Sequence, residues 1–345
     1  MSPCTPPEHG RQYPPRIQIV LRPRYVLIQS DRFQEQLLST RSLFFLQEQI
    51  VFRCGEMECG ESTLPHPQQH LNYFLNAHDA ASAIHMKDPI NDFRVILEHY
   101  TERALTDQND VLRALDGLIR RFSGALHCGF ISGLPEKALD NFILFRLRGA
   151  SSYRRRGFPS YSWAGWKGAI SFDTQQPRAR GISWVFWYGV GPSGVRKLGH
   201  RKKENPFYTH SISGDTSQTT PTPNLLNPIS TLEYEILQFW TVSVYLKVNQ
   251  IEVFNAKGRL FDRNGICCGS IFFDGFEETT FFENESLVEC TLISQTDMTS
   301  DLYYRILVLE WGSGVAERRG VGEIEMRAID RSFHPGPIWK EILLG

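Results

Sequence analysis

The apolar period of this chain changes once, near Phe158, and that change decides what the chain can fold into. Before it, apolar residues recur at helical spacing. Ile90, Phe93, Ile96, Leu97 and Tyr100 share one face, with Asp88 placed to cap the helix and Pro89 at its first position. Val111, Leu112, Leu115, Leu118, Ile119 and Phe122 form a second stripe, which Asp107 can cap and Gly124 can end. A third helix is expected from Pro135, burying Leu139, Phe142 and Ile143. After Phe158 the period falls to two. In Glu235–Val248 the even positions Ile236, Trp240, Val242, Val244, Leu246 and Val248 are apolar, which predicts a half-buried strand. Similar short runs recur at Trp184–Tyr188, Gln250–Phe254, Ile266–Phe273, Leu287–Ile293, Tyr303–Trp311 and Gly322–Met326. Turn signals such as Ala256-Lys257-Gly258 and Arg263-Asn264-Gly265 separate them, with no helix between. The pattern predicts an α+β protein: a small helical layer, then a mostly antiparallel β sandwich or barrel-like domain.

Charge and cysteine usage narrow the function classes. With 37 Lys and Arg against 38 Asp and Glu, the net charge of −1 lacks the basic excess of a non-specific nucleic-acid binder. The seven cysteines are odd in number and irregularly spaced, which argues against a secreted disulfide framework. The longest purely apolar run, Trp184–Tyr188, is far short of the roughly 20 residues of a spanning helix. The proline-rich opening MSPCTPPEHGRQYPP has no signal-like apolar stretch. These features lead to an expectation of a cytoplasmic protein with no membrane and no nucleic-acid partner. Ser211–Pro228, rich in Ser, Thr, Pro and Asn, reads as an exposed loop.

Motifs that would carry chemistry have simpler structural readings. Gly189-Val190-Gly191-Pro192-Ser193-Gly194 fits G-x-G-x-x-G, yet Val195–Lys203 lacks an apolar helical stripe, so a hairpin turn is expected and no dinucleotide. Cys54, Cys59, His66 and His70 are residue types that zinc accepts, but the gap between the pairs is too short for a finger; no metal is expected. Cys267 and Cys268 should face opposite sides of a strand. Arg154–Arg156 and Arg201–Lys203 read as solvated loops. No nucleophile elbow, H-E-x-x-H helix or phosphate loop occurs, so no catalytic residue and no cofactor is assigned.

The segment of strongest character is Phe158-Pro159-Ser160-Tyr161-Ser162-Trp163-Ala164-Gly165-Trp166. Its large rings can each bury ~150–250 Å². Two readings compete: a core seam joining the helical and β layers, or an aromatic ligand platform. Alternation in an extended segment would put Tyr161 and Trp163 on one side and Trp166 on the other.

That segment, preceded by Gly133-Leu134-Pro135-Glu136 and a helix, resembles the "FPSWSWAGW" stretch of fungal heterokaryon-incompatibility (HET) domain proteins. Phe33-Gln34-Glu35-Gln36-Leu37-Leu38-Ser39 through Phe52-Arg53-Cys54 resembles the stretch that closes the HET domain, and Tyr100–Thr106 with Asp110 a further family stretch. Gly314–Gly322, with Ala316, Glu317, Arg318, Gly320 and Gly322, and the closing Trp339–Gly345 are similar to the family's C-terminal ending. The resemblance covers about residues 31–345. Stretches such as "YVTLSHCWG" that precede these segments in the family have no counterpart here.

The resemblance implies the C-terminal portion of such a protein. Residues 1–30 form an atypical proline-rich segment, 31–64 a remnant of the end of a HET domain, 65–157 a mainly helical region and 158–345 a mainly β domain. It implies a role in vegetative incompatibility, non-self recognition and the associated cell death, with this part a non-enzymatic interaction or regulatory module for protein partners. The alternative is the regulatory part of a TIR-like NAD-cleaving enzyme whose catalytic part lies elsewhere. The motif residues in 158–166 and 316–322 are expected to be structural.

Overall fold

The computed structural model describes residues 17–21, 37–38, 41–45, 50–54, 58–60, 88–103, 105–148, 152–172, 182–183, 185–199, 234–275, 285–296, 303–312 and 314–345. The loop expected at 211–228 therefore lies outside the described residues, as do Arg201–Lys203. Toward the N-terminus, β1 (Ile17–Leu21), β2 (Arg41–Phe45), β3 (Ile50–Cys54) and β4 (Glu58–Gly60) form one sheet. Only its β1–β2 pair is parallel. Just ahead of β2, Leu37 is buried in the core of the helical layer and Leu38 packs against it.

Helix α1 (Pro89–Thr101) begins as expected. The Asp88 side chain accepts from the Asn91 amide, Pro89 stands in the first turn, and Phe93, Ile96, Leu97 and Tyr100 are buried. The second helix is shorter than its apolar stripe. Asp107 caps a 3-10 turn, Gln108–Asp110; a second turn, Arg113–Leu115, follows, and α2 runs only Asp116–Leu126. The Tyr100 hydroxyl supplies a reason. It donates to the Val111 carbonyl at 2.7 Å, and the Leu115 amide bonds Leu112 instead, one residue tighter than an α-helix requires. Gly124 lies inside α2, and His127 ends it in the left-handed conformation, φ 49°.

A small hairpin, β5 (Phe130–Ile131) and β6 (Leu134–Pro135), leads through a 3-10 turn, Glu136–Ala138, into the single turn α3 (Leu139–Phe142). Two short ladders follow, β7 (Arg146–Leu147) with β10 (Ile170–Ser171) and β8 (Tyr153–Arg154) with β9 (Trp166–Lys167).

The remaining strands make one ten-stranded sheet: β11 (Ile182–Ser183), β12 (Trp187–Gly191), β13 (Gly194–Leu198), β14 (Ile236–Glu252), β15 (Lys257–Phe261), β16 (Cys267–Phe273), β17 (Leu287–Gln295), β18 (Tyr303–Trp311), β19 (Ala316–Glu325) and β20 (Phe333–Leu344). Pairing runs β14–β17–β18–β19–β16–β15 and back to β14, antiparallel at every step. The sheet thus closes into a six-stranded barrel, whose ring has no free edge. Val244, Leu246, Val248, Ile271, Cys290, Leu292, Ile306 and Val308 pack together as its core, with Met326 and Ile329 against them.

A second core lies on the other face. Leu237, Phe239, Ile293, Leu307, Leu309, Val321 and Ile342 join Phe93, Leu118, Phe142, Trp163 and Trp166. This corrects the half-buried reading of β14: Leu237, Phe239, Thr241 and Ser243 are buried as well as the even positions other than the half-buried Trp240, because a layer covers the strand on each side. Gln250–Phe254 is no separate strand. It continues β14 through a register shift, with Gln250 at φ 53°, into the turn Val253–Asn255. β20 escapes the alternation rule because Pro335 and Pro337 interrupt it. Both fall in the shift between Ile338, opposite Ser243, and Phe333, opposite Tyr245, so neither removes a ladder bond. The chain is α+β, a small helical layer packed on a mostly antiparallel sheet.

Candidate functional site

The aromatic segment is not extended. The Ser162 hydroxyl accepts from the Ala164 amide at 3.0 Å and caps a 3-10 turn, Trp163–Gly165. The turn carries both indoles inward, Trp163 fully buried and Trp166 1% exposed, which replaces the two-sided arrangement expected from alternation. Trp163 donates to the Gly133 carbonyl at 3.0 Å and meets Tyr100 edge to face, ring centroids 5.7 Å apart. Trp166 donates to the Ser160 carbonyl at 2.8 Å. Ser162 donates to Ser132 at 2.6 Å, and the Tyr161 hydroxyl to Glu235 at 2.7 Å. Pro159 and Ala164 are buried, and Phe158 packs against the same core. Gly165 is required by closeness, since a Cβ there would stand 2.2 Å from the Pro159 carbonyl oxygen. Rings with no exposed face cannot serve as a platform, so of the two readings the geometry takes the core seam.

Arg154 and Arg155 are not solvated. Their two guanidinium forks donate to carbonyls of the turn and of the chain leading into it. Arg154 Nη1 donates to Arg155 and Phe158 at 2.6 Å and to Gly165 at 3.1 Å. Arg155 Nη1 donates to Ala164 at 3.2 Å and to Trp166, while its Nε reaches Gln108 at 2.9 Å. Burial lowers the pKa of both side chains. Arg156 remains exposed.

The second motif segment meets the first. A register shift between Val308 and Leu309 places Arg318 opposite Leu309, on the helical side of β19. Arg318 is fully buried there. It holds Asp274 with two bonds, Nε–Oδ2 at 2.8 Å and Nη2–Oδ1 at 3.0 Å. It also donates to the carbonyls of Ile143, at 2.7 Å, and Phe145, at 2.5 Å, and lies 3.6 Å over the Phe145 ring. Burial works against both charges, lifting the Asp274 carboxyl and lowering the Arg318 guanidinium, and the two-pronged contact opposes each shift. The Arg318 amide donates to the Ser160 hydroxyl at 2.8 Å. Ala316 is buried, its carbonyl accepting from the Gly345 amide at 2.9 Å. Glu317 lies 3.2 Å from Arg319 and 3.9 Å from Arg154. Gly320 and Gly322 line the passage of β19 along β16; a Cβ on Gly322 would meet the Ser270 carbonyl at 2.2 Å.

Other sequence candidates fall elsewhere. The G-x-G-x-x-G stretch is the β12–β13 hairpin, Gly194 at φ 109°. Cys267 is exposed and Cys268 buried, on opposite faces as expected. His66, His70 and the Cys54 side chain lie outside the described residues. Among the described residues no group of three or more His, Cys, Asp or Glu side chains could hold a metal, and no helix is long and apolar enough to cross a membrane. Sequence reasoning missed Asp274, Glu289 and Arg196. Glu289 accepts from Trp311 at 2.8 Å and lies 2.6 Å from Lys340; Arg196 ties Glu136 at 2.6 Å to Glu235 at 2.9 Å. These partners are 22 to 60 residues apart, and no local pattern relates them. No family model, curated protein or solved structure matches the chain.

Proposed function

We propose that this chain is the C-terminal portion of a protein resembling the HET-domain family, serving as a cytoplasmic interaction or regulatory module in fungal non-self recognition and the cell death that follows. One observation supports the reading. The two most specific segments of the resemblance, 158–166 and 316–322, interlock through Ser160 and Arg318 into a single buried junction. A motif spent on holding two layers together suits a rigid module that presents its surface to protein partners. Its aromatic and arginine groups are occupied with one another and with backbone carbonyls, an arrangement that suits scaffolding better than turnover.

Expression tests it. Produced alone in a filamentous fungus, the chain should leave cells viable. Placed after a complete HET domain, it should change the strength or partner dependence of the death response relative to that domain alone. Death caused by the chain alone, or an identical response with and without it, would overturn the proposal. Purified chain incubated with NAD should release no nicotinamide above buffer; turnover that follows the protein through successive columns would favour the enzymatic alternative.

A further inference from the structure

We propose that Ser160 is a latch: through its hydroxyl and its amide, the aromatic turn and the ends of two barrel strands open and close as one. The Ser160 amide donates to a main-chain oxygen of Gly345 at 2.9 Å. Its hydroxyl donates to the same oxygen and accepts from the Arg318 amide at 2.8 Å. Its own carbonyl receives the Trp166 indole N–H. Segments 158 and 185 residues away in the chain thus converge on one small, fully buried side chain. The Gly345 amide completes the set on Ala316, two residues from Arg318.

The surroundings make this junction all-or-none. Trp163, Trp166, Ala164 and Ala316 are buried in the same core, with no exposed polar surface among them to take a released group. A half-open junction would strand a buried amide or carbonyl, at the full desolvation cost of that group. Opening far enough to admit water avoids that cost and also unseats Trp166. On the far side of Arg318 the guanidinium grips the carbonyls of Ile143 and Phe145, so displacement of β19 at this point pulls on the helical layer. The latch depends on this geometry alone and not on the family resemblance.

Native-state hydrogen exchange on the full chain, at residue resolution and in low denaturant, tests it. In the wild type, the amides of Ser160, Gly165, Arg318 and Gly345 should exchange through one opening with one denaturant dependence. Ser160→Ala should accelerate exchange at Arg318 and Gly345 roughly tenfold or more. The Val248 amide, bonded to Ser286 at 2.8 Å in the barrel, should keep its wild-type rate. Separate openings for the four amides would overturn the latch. So would acceleration confined to 158–166, or equal acceleration at Val248. If Ser160→Ala does not fold, the wild-type exchange curves decide alone.

Discussion

Trp163→Ala removes the largest side chain that belongs at once to the helical layer and to the aromatic turn. The residue has no exposed surface, so its loss combines the transfer term with an uncollapsed cavity, about 3–5 kcal/mol for an aromatic deletion in a core. The edge-to-face contact with Tyr100 adds about 0.5–1.5 kcal/mol, and the Gly133 carbonyl loses its donor. These contributions overlap, and a net loss of about 4 kcal/mol is expected. Set against a usual total of about 5–15 kcal/mol, this leaves a marginal protein. At about 2–4 °C per kcal/mol for a domain of this size, the melting temperature should fall by about 8–16 °C in differential scanning calorimetry. Trp163→Phe keeps most of the apolar area but leaves Gly133 without its donor, and should lose about 1–3 kcal/mol. Trp166→Ala should resemble Trp163→Ala. Unchanged melting in both alanine variants would refute the core-seam argument, since no buried tryptophan of this kind can be deleted without cost.

The buried ion pair gives a second test by urea denaturation. Arg318→Met and Asp274→Leu each leave one charge buried without its partner and should each lose about 3–5 kcal/mol. The double variant should recover part of that, with a coupling energy above about 1 kcal/mol; additive losses would contradict the bidentate contact. Stability should also fall in alkali. Burial pushes Tyr304 from 10.0 and Cys268 from 9.0 up to about 12. Below pH 9 both states carry these protons; between about pH 9 and 12 the unfolded chain loses them first, so stability declines across that window and levels above it. A melting temperature flat from pH 8.5 to 11.5 would oppose this. Finally, alkylation mapped by mass spectrometry at pH 8 should modify exposed Cys267 and spare Cys268 and Cys290 until the protein is denatured. Early modification of Cys290 would mean that the barrel core is open.

Local rules read much of this fold and little of its junction. Asp88, Pro89 and the α1 stripe were legible because capping and helical period act within a few residues. Tyr303–Trp311 was legible as a strand because it is a short run rich in apolar and aromatic residues, although Ile306–Leu309 is buried on both faces. The second helix was overestimated because its early carbonyl at Val111 is claimed by Tyr100, a tertiary contact that no propensity contains. β14 was read as half-buried because alternation reports one covered face, whereas barrel core and helical layer cover both. The aromatic segment announced burial through its tryptophans, but the Ser162 cap that turns it back and the Arg154 and Arg155 forks that hold it were invisible without coordinates. Arg318 illustrates the limit best. Its segment drew notice by resemblance, while its partners Asp274, Ile143 and Phe145 lie 44 to 175 residues away.

Whether the helical layer and the barrel form one cooperative unit is the point on which the account stands. Hydrogen exchange can be followed against urea in three peptides: one from α1 spanning Phe93–Tyr100, one from β17 spanning Val288–Leu292, and one covering Ser160–Trp166. In urea high enough that global unfolding carries exchange at every amide, all three should share one midpoint and one slope, because Ser160, Trp163 and Arg318 leave neither layer a dry surface of its own. The opening at Ser160 is a smaller event confined to low denaturant. A helical peptide that opens at clearly lower urea than the barrel peptide, with the aromatic turn following the helix, would show that the seam does not join the two layers.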